Sequence, residues 1–326
     1  MSKLDDRIAR LSPEKRQLLE LLMAREQKPP PSPNPAFDPP PIDLVEAIRS
    51  SQYASYTYVS PGEKKTQTRH LYNLVSRQLN ASPFQEHAFF LNLGYAPDHH
   101  PTGSQIELPD HLLNKNCIRL VLEVIDDCDI HPEIETLDVG CGRGGTITVL
   151  QRYFQPRKTT GVDLSSSAIA FCNRRHRYAN AHFLEGDAER LPFADASFDV
   201  VTNLESSHSY PNVAAFYQGV ARVLRPGGHF LYTDVFAGER LGQQLNLLRQ
   251  HGLRLLRQRD ITSNVLLSTG KPSEITIKIR RSSERFTMRL CAHNSASPSM
   301  FSFSSSSRIM RPRLPRARRQ GASAAL

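Results

Sequence analysis

Residues 137–145 read Leu-Asp-Val-Gly-Cys-Gly-Arg-Gly-Gly, and this stretch decides the fold of the chain. It closes an apolar run over residues 134–139 that predicts a buried strand, and a helical pattern of apolar residues begins at Thr146. Glycines at such a junction are typical of a tight turn that holds a ligand, because glycine adopts backbone conformations that a β-carbon penalises and exposes bare backbone. We therefore predict a strand, a tight turn and a helix start that bind a nucleotide-like ligand, in preference to a turn without a ligand.

Two classes of cofactor are bound by loops of this kind. Gly140, Gly142 and Gly145 fit the spacing of dinucleotide-binding loops, and Asp163 follows roughly 20 residues later, as expected of a ribose-binding acid. Asp138, just before the first glycine, points to the other class. Its carboxylate would repel a pyrophosphate and attract the ammonium group of an amino acid. The sequence thus favours S-adenosylmethionine (SAM) over NAD.

The chain from about residue 109 onward alternates between helical and strand patterns. Helices are predicted at 109–127, 144–154, 166–179 and 212–224, and strands at 134–139, 159–163, 181–185, 198–203 and 228–236. This alternation is typical of an α/β fold with a doubly wound, mostly parallel sheet and helices on both faces. Ligands of such sheets bind beyond the carboxyl ends of the strands, where Asp163 could accept ribose hydroxyls and Asp187 an adenine amino group.

Five motifs, in order along the chain, resemble those of class I SAM-dependent methyltransferases. They are Leu137-Asp-Val-Gly-Cys-Gly-Arg-Gly-Gly145, Gly161-Val-Asp-Leu164, Gly186-Asp-Ala188, Phe198-Asp-Val200 and Leu224-Arg-Pro-Gly-Gly228. The resemblance covers residues 110–236 and implies a Rossmann-like sheet that binds SAM. The cofactor contacts that it implies are Asp138, Gly140 and Gly142 toward methionine and ribose, Asp163 and Leu164 at the ribose, Asp187 and Ala188 at the adenine, and Asn203 by the methionine.

The segment after the fourth strand, Asn203-Leu-Glu-Ser-Ser-His-Ser-Tyr-Pro211, indicates the class of acceptor. It resembles the small-molecule branch of the family, which modifies lipids, sugars, polyketides and other secondary metabolites. Relatives in that branch place a His after this strand and an Asp near the end of the next, which here are His208 and Asp234. The resemblance implies an O-methyltransferase in which His208 accepts a hydroxyl proton and Asp234 orients it. Two alternatives stay open: a histidine that only shapes the pocket, and a strand-end aspartate that caps or pairs.

Two further residues are candidates for substrate contacts. Tyr95 ends the apolar and aromatic segment 87–95, which could close over a substrate pocket or could be the end of a core helix. Glu205 could face the substrate or bind backbone amides of its own turn. No metal site is expected, because the histidines at 99, 100 and 111 and the five scattered cysteines lack ligand spacing.

The chain divides into four predicted parts. Residues 1–41 hold a helix and a proline-rich linker, 42–108 a helical cap with substrate contacts, 109–269 the SAM-binding domain, and 270–326 a basic, Ser- and Arg-rich tail. Residues 271–326 carry 12 Lys/Arg and 2 Asp/Glu, so the formal net charge of +9 belongs to the tail and the rest of the chain totals −1. The composition of the tail predicts disorder, and an altered reading frame is one hypothesis for it. Residues 274–279 and 285–291 alternate apolar and polar side chains, either by chance or as a final hairpin of the sheet.

Composition also limits the partners and the compartment. No run approaches the ~20 apolar residues that span a membrane, and residues 1–10 lack an apolar signal core, so we expect a cytoplasmic protein with reduced thiols. The expected partner is a small-molecule substrate that a carrier or synthase could present, because residues 11–19 resemble linkers of modular peptide and polyketide synthases. Nucleic acid is expected only at the basic tail. Two rival functions remain: a catalytically impaired methyltransferase fold that acts as a binding protein, and an RNA methyltransferase that uses the tail.

Overall fold

The computed structural model describes residues 60–83, 85–97, 106–125, 128–236, 240–269 and 284–292, and one sheet organises them. Its strands are β1 (Glu135–Val139), β2 (Lys158–Asp163), β3 (Ala181–Glu185), β4 (Phe198–Leu204), β5 (Leu224–Phe236), β6 (Leu253–Asp260) and β7 (Glu284–Ala292). They lie in the order β3-β2-β1-β4-β5-β7-β6. Strands β1 to β5 pair in parallel, and β7 is antiparallel to both of its neighbours. The predicted α/β fold with a doubly wound, mostly parallel sheet is therefore confirmed.

Helices cover both faces of this sheet. They are α1 (Pro61–Ala81), α2 (Lys115–Ile125), α3 (Gly145–Tyr153), α4 (Ser166–Arg175), α5 (Val213–Val223), α6 (Leu241–Gln250) and α7 (Thr262–Ser268). On β4, Val201 packs in the apolar cluster of Phe216 from α5, and its neighbour Val200 packs in the cluster of Leu120 from α2. Successive strand residues point to opposite faces, so a strand between two helical layers is apolar throughout. Of the helices described here, none combines the length and the apolarity needed to cross a membrane.

The glycine loop joins β1 to α3 at the centre of the sheet. The backbone N–H groups of Gly140 and Cys141 both donate to the carbonyl oxygen of Val162 on β2, at 2.8 and 3.1 Å. Gly144, the residue before α3, has φ of 80°, a left-handed conformation that a side chain would strain. The sequence predicted this strand, turn and helix, and the structure confirms all three.

Helix α1 belongs to the segment expected to form a helical cap. It begins at Pro61, where Ser60 and Glu63 form a capping box. The Ser60 hydroxyl accepts from the Glu63 N–H at 3.3 Å, and the Glu63 carboxylate accepts from the Ser60 N–H at 2.9 Å. Residues 1–59, with the predicted N-terminal helix and proline-rich linker, lie outside the described residues.

The sheet extends beyond residue 269, where the sequence predicted the SAM-binding domain to end. Strand β7 lies within the segment 270–326 that was expected to be a tail, and it forms the link between β5 and β6. Its buried side chains alternate (Met288, Leu290 and Ala292) and pack in the core cluster. The alternation at 285–291, left open between chance and a final hairpin, belongs to this strand, although the basic and serine-rich composition around it predicted a tail. Residues 274–279 lie outside the described residues, and both edges of β7 are already paired with β5 and β6.

Candidate functional site

A cavity opens at the carboxyl ends of β1, β2, β3 and β4, under a roof made by the cap. Helix α1 contributes Lys65, Thr68 and Tyr72 to its wall, and residues 89–92 contribute an aromatic and aliphatic edge. Seven residues that the sequence predicted at the site line this cavity: Gly140, Gly142, Asp163, Leu164, Asp187, Ala188 and Glu205. The strand ends and the glycine loop therefore meet in one place, as expected of a parallel sheet.

Gly140 is the position of closest approach in the loop. It has φ of 70°, and a β-carbon there would lie 2.2 Å from the Ser206 hydroxyl and 2.7 Å from the Tyr210 hydroxyl. These two hydroxyls lie 2.7 Å apart, and Asn203 donates to the Tyr210 oxygen at 3.1 Å. Burial raises the pKa of Tyr210 well above its ordinary value, so the phenol stays protonated and can donate a hydrogen bond. The loop therefore offers bare backbone beside a pair of neutral hydroxyls.

Asp163, at the end of β2, holds the loop in position. One carboxylate oxygen accepts from the Gly142 N–H at 2.8 Å and the other from the Ser165 N–H at 2.8 Å. Burial raises the pKa of Asp163 above its ordinary value, although these two bonds oppose the shift. Each oxygen keeps a second lone pair, and the residue lines the cavity, so it can accept two ribose hydroxyls as well.

Two predicted cofactor residues lie below the cavity and not on its wall. Asp138 is 2% exposed and accepts from the Thr202 hydroxyl at 2.7 Å, while Asn203 is fully buried and donates to the Val139 carbonyl at 2.8 Å. Among the described residues, no partner bonds the second carboxylate oxygen of Asp138 or the side-chain oxygen of Asn203. These buried acceptors beneath the glycine loop fit a cofactor that brings an ammonium group, the chemistry that the sequence assigned to Asp138.

Asp138 should also make stability depend on pH. Burial raises its pKa to about 7, so the folded protein binds more protons than the unfolded chain between about pH 4 and pH 7, and stability falls as pH rises through that window. We expect Asp138→Asn to be more stable than the wild type by up to about 4 kcal/mol at pH 8, and by less than half of that at pH 5. Urea unfolding at both pH values measures this. Asp195→Asn, at an exposed carboxylate, is the control, and an equal gain at both pH values would contradict the assignment.

At the adenine end, Asp187 is paired with a residue that the sequence did not single out. Lys65 of α1 lies 2.8 Å from the Asp187 carboxylate and 2.5 Å from that of Glu189. Asp187 also accepts from the Glu189 N–H at 3.0 Å. Lys65 and Asp187 are 122 positions apart, so no local pattern could have predicted the pair. This pairing brings α1 against the part of the cavity assigned to the adenine.

His208 and Asp234 form a tight pair beside the cavity. The Nδ1 of His208 lies 2.6 Å from Oδ1 of Asp234, whose two oxygens also accept from the His208 N–H at 2.9 Å, the Val235 N–H at 2.8 Å and the Ser207 hydroxyl at 2.5 Å. Burial alone would raise the pKa of Asp234, but the charge of His208 and these hydrogen bonds outweigh it and lower the pKa. A His that donates through Nδ1 presents Nε2 as its basic nitrogen. The neighbours Ser206, Ser209 and Tyr210 line the described cavity, whereas His208 and Asp234 do not.

The two candidate substrate residues, Glu205 and Tyr95, lie in different places. Glu205 lines the cavity with φ of 47°, and its carboxylate accepts from the Leu93 N–H at 2.8 Å. It therefore binds a backbone amide of the cap. Tyr95 is 5% exposed and packs in the core cluster of Ile118 on α2, away from the described cavity wall. Its placement agrees with the core alternative, because packing in the core removes the apolar surface of the ring from water.

A cavity of this composition, at the carboxyl end of a sheet with this strand order, defines a class I SAM-dependent methyltransferase. The family model described as "Methyltransferase domain" matches residues 137–232. In the described residues, no group of three or more His, Cys, Asp and Glu side chains could hold a metal ion.

Curated relatives agree with this class. The chain is 41% identical over 201 residues to a fatty-acid O-methyltransferase of Mycolicibacterium smegmatis, covering 62% of this chain and 71% of the relative. It is 37% identical over 206 residues to a phthiotriol/phenolphthiotriol dimycocerosates methyltransferase of Mycobacterium tuberculosis, covering 63% and 74%. A solved geranyl diphosphate methyltransferase, in complex with GPP and sinefungin, matches in fold with a TM-score of 0.58 at 18% identity, covering 70% of this chain and 99% of that one. The chain belongs to the class I SAM-dependent methyltransferases, and its cofactor is SAM.

Proposed function

We propose that this enzyme methylates a hydroxyl group of a lipid-like natural product. The observation that carries the proposal is the His208–Asp234 pair, at 2.6 Å, on the segment that also forms one end of the cofactor cavity. A hydroxyl must lose its proton when it is methylated, so a positioned base is useful to this acceptor. The named substrates of the relatives, a fatty acid and phthiotriol lipids, support an acceptor of lipid type.

In this proposal, separate residues bind the cofactor, position the cap and accept the proton. SAM, when bound, supplies a methyl group already activated by its sulfonium. Asp163 and Asp187 hold the cofactor through its ribose and adenine, and Glu205 fixes the cap segment over the acceptor end through the Leu93 N–H at 2.8 Å. Nε2 of His208 accepts the hydroxyl proton, and Asp234 holds the ring through Nδ1 and stabilises the imidazolium.

The wall of the cavity supports an apolar acceptor. Phe89, Phe90, Leu91 and Leu204 line it on the side of the cap and the end of β4. Apolar side chains bind alkyl surface by removing it from water, at about 25 cal/mol for each Å². A hydrocarbon chain beside the reacting hydroxyl would use this surface. Presentation of the acceptor by a carrier protein or synthase, and a cytoplasmic location, remain part of the proposal.

A carboxyl acceptor is the second candidate, because one relative is a fatty-acid O-methyltransferase. A carboxylate is already ionised at neutral pH and needs no base. The two acceptors therefore predict different consequences of removing His208: a large loss of turnover for a hydroxyl and a small one for a carboxylate.

Methyl transfer from labelled SAM to a defined panel tests the proposal. The panel contains a hydroxylated fatty acyl ester, a free fatty acid and a transfer RNA, and mass spectrometry locates the label. We expect a methyl ether on the hydroxylated ester. Label on the RNA alone would favour the nucleic-acid alternative, and absence of transfer by protein that binds SAM in calorimetry would favour the binding-protein alternative.

A further inference from the structure

Arg143 occupies an unusual position within the glycine loop. It follows Gly142, both residues line the cofactor cavity, and its side chain is fully buried. Burial lowers the pKa of Arg143 to about 10, so its guanidinium is still charged at neutral pH.

The guanidinium contacts two separate parts of the cap. Nε donates to the carbonyl oxygen of Ala88 at 2.5 Å. Nη1 donates to the carbonyl and hydroxyl oxygens of Ser76, at 3.1 and 2.9 Å, and to the side-chain oxygen of Asn80 at 2.9 Å. Phe171 of α4 lies against it, with the ring centroid 3.5 Å from Cζ. One side chain thus joins α1, the segment before Phe89 and α4 to the loop.

These contacts are made without a carboxylate. The ion pairs found among the described residues do not include Arg143, and its partners are neutral oxygens and an aromatic ring. Burying a guanidinium without a carboxylate partner is unfavourable compared with an apolar side chain of similar size. If this position only filled the core, leucine or methionine would give a more stable protein than arginine. Core filling therefore does not account for Arg143, and its directed hydrogen bonds do.

The parts of the cap that Arg143 holds are walls of the cofactor cavity. Helix α1, which carries Ser76 and Asn80, also carries Lys65, Thr68 and Tyr72 on the cavity wall. Ala88 directly precedes the wall residues 89–92. The loop below the cofactor and the roof above it are therefore joined through one guanidinium.

We propose that Arg143 is a positioning residue that holds the cap closed on the glycine loop and thereby sets the affinity of the enzyme for SAM. The fork of arginine can reach Ser76, Asn80 and Ala88 together, and the single ammonium of lysine cannot reproduce that geometry. Weakening the hydrogen bonds of the Arg143 guanidinium to the cap does not involve the reacting groups at His208. The consequence falls on cofactor binding and not on the transfer step.

Arg143→Lys tests this, with Arg174→Lys as the matched control on the exposed side of α4, where Arg174 bonds the carbonyl of Ala170 in its own helix. We expect the SAM dissociation constant, measured by calorimetry, to rise at least about tenfold in Arg143→Lys, with kcat at saturating SAM within about threefold of wild type. Hydrogen exchange over α1 in the absence of cofactor should become faster, while β1 and β4 keep their protection. The control should keep wild-type values in all three measurements.

A dissociation constant within about twofold of wild type in folded Arg143→Lys would overturn the proposal, as would a loss confined to kcat. If this variant does not fold, the double variant Ser76→Ala, Asn80→Ala serves in its place, because it keeps Arg143 and removes two of its acceptors. We then expect SAM affinity to fall at least about threefold, and unchanged affinity would reject the role.

Discussion

Replacement of His208 by alanine is expected to lower kcat by about 10²–10⁴-fold while the SAM dissociation constant stays near wild type. The reason is the pairing of Nδ1 with Asp234 at 2.6 Å, which leaves Nε2 as the basic nitrogen. The methyl donor is already activated, so removal of the acceptor proton is the step that this residue assists. Steady-state kinetics with the hydroxylated acceptor, together with calorimetry of SAM, separates the two quantities.

His208→Gln provides the sharper form of the same experiment. Its side-chain amide can still donate to Asp234 and preserve the local packing, but it cannot accept a proton from the acceptor. It should be as inactive as the alanine variant and more stable. His182→Ala, at an exposed position of β3, is the control for a general effect of losing a histidine. Turnover near wild type in both His208 variants would remove this residue from the base role and favour a carboxylate acceptor.

Gly140→Ala is expected to weaken SAM binding by at least about 100-fold, which corresponds to about 2.7 kcal/mol. The added β-carbon would lie 2.2 Å from the Ser206 hydroxyl and 2.7 Å from that of Tyr210, so the loop or the hydroxyl pair must move. The φ of 70° adds a left-handed conformation that costs an alanine about 1–2 kcal/mol. Calorimetric titration with SAM and a thermal melt measure the two effects.

Gly227→Ala is the matched control, because it isolates the backbone strain. Gly227 has φ of 80°, and nothing lies within 4 Å of its added β-carbon. It should lower the melting temperature about as much as strain alone does at Gly140, without changing SAM affinity. If Gly140→Ala bound SAM as tightly as this control, close approach of the cofactor to the loop would be refuted.

The helices and strands of the cofactor-binding half could be predicted closely because their signals are local. The strand at 181–185 has the predicted bounds, and α3 and α5 begin and end within one residue of prediction. Helix α2 begins at Lys115 and not at 109, since the preceding residues form turns and Asn114 has φ of 58°. Strand β7 was left undecided, because its nine residues depend on β5 and β6 on either side for their pairing.

The candidate site was only partly predictable from motifs. A motif identifies a residue at a strand end, but its side chain can line the cavity, as in Asp163, or support it from below, as in Asp138. Tyr95 was a substrate candidate because it ends an apolar and aromatic segment that could close over a pocket, and in the structure it packs in the core cluster with α2. No role was predicted for Lys65, or for Arg143 within the glycine motif, because their contacts are with distant segments.

The sequence by itself determined the class of cofactor and the architecture of the sheet, because the glycine loop, the strand-end acids and the apolar periodicities act over a few neighbouring residues. Only the tertiary structure decided how the site is closed. Arg143 contacts Asn80 across 63 positions, and Lys65 contacts Asp187 across 122. Such contacts form when packing brings separate segments within the roughly 3 Å range of a hydrogen bond, and no local propensity encodes that distance.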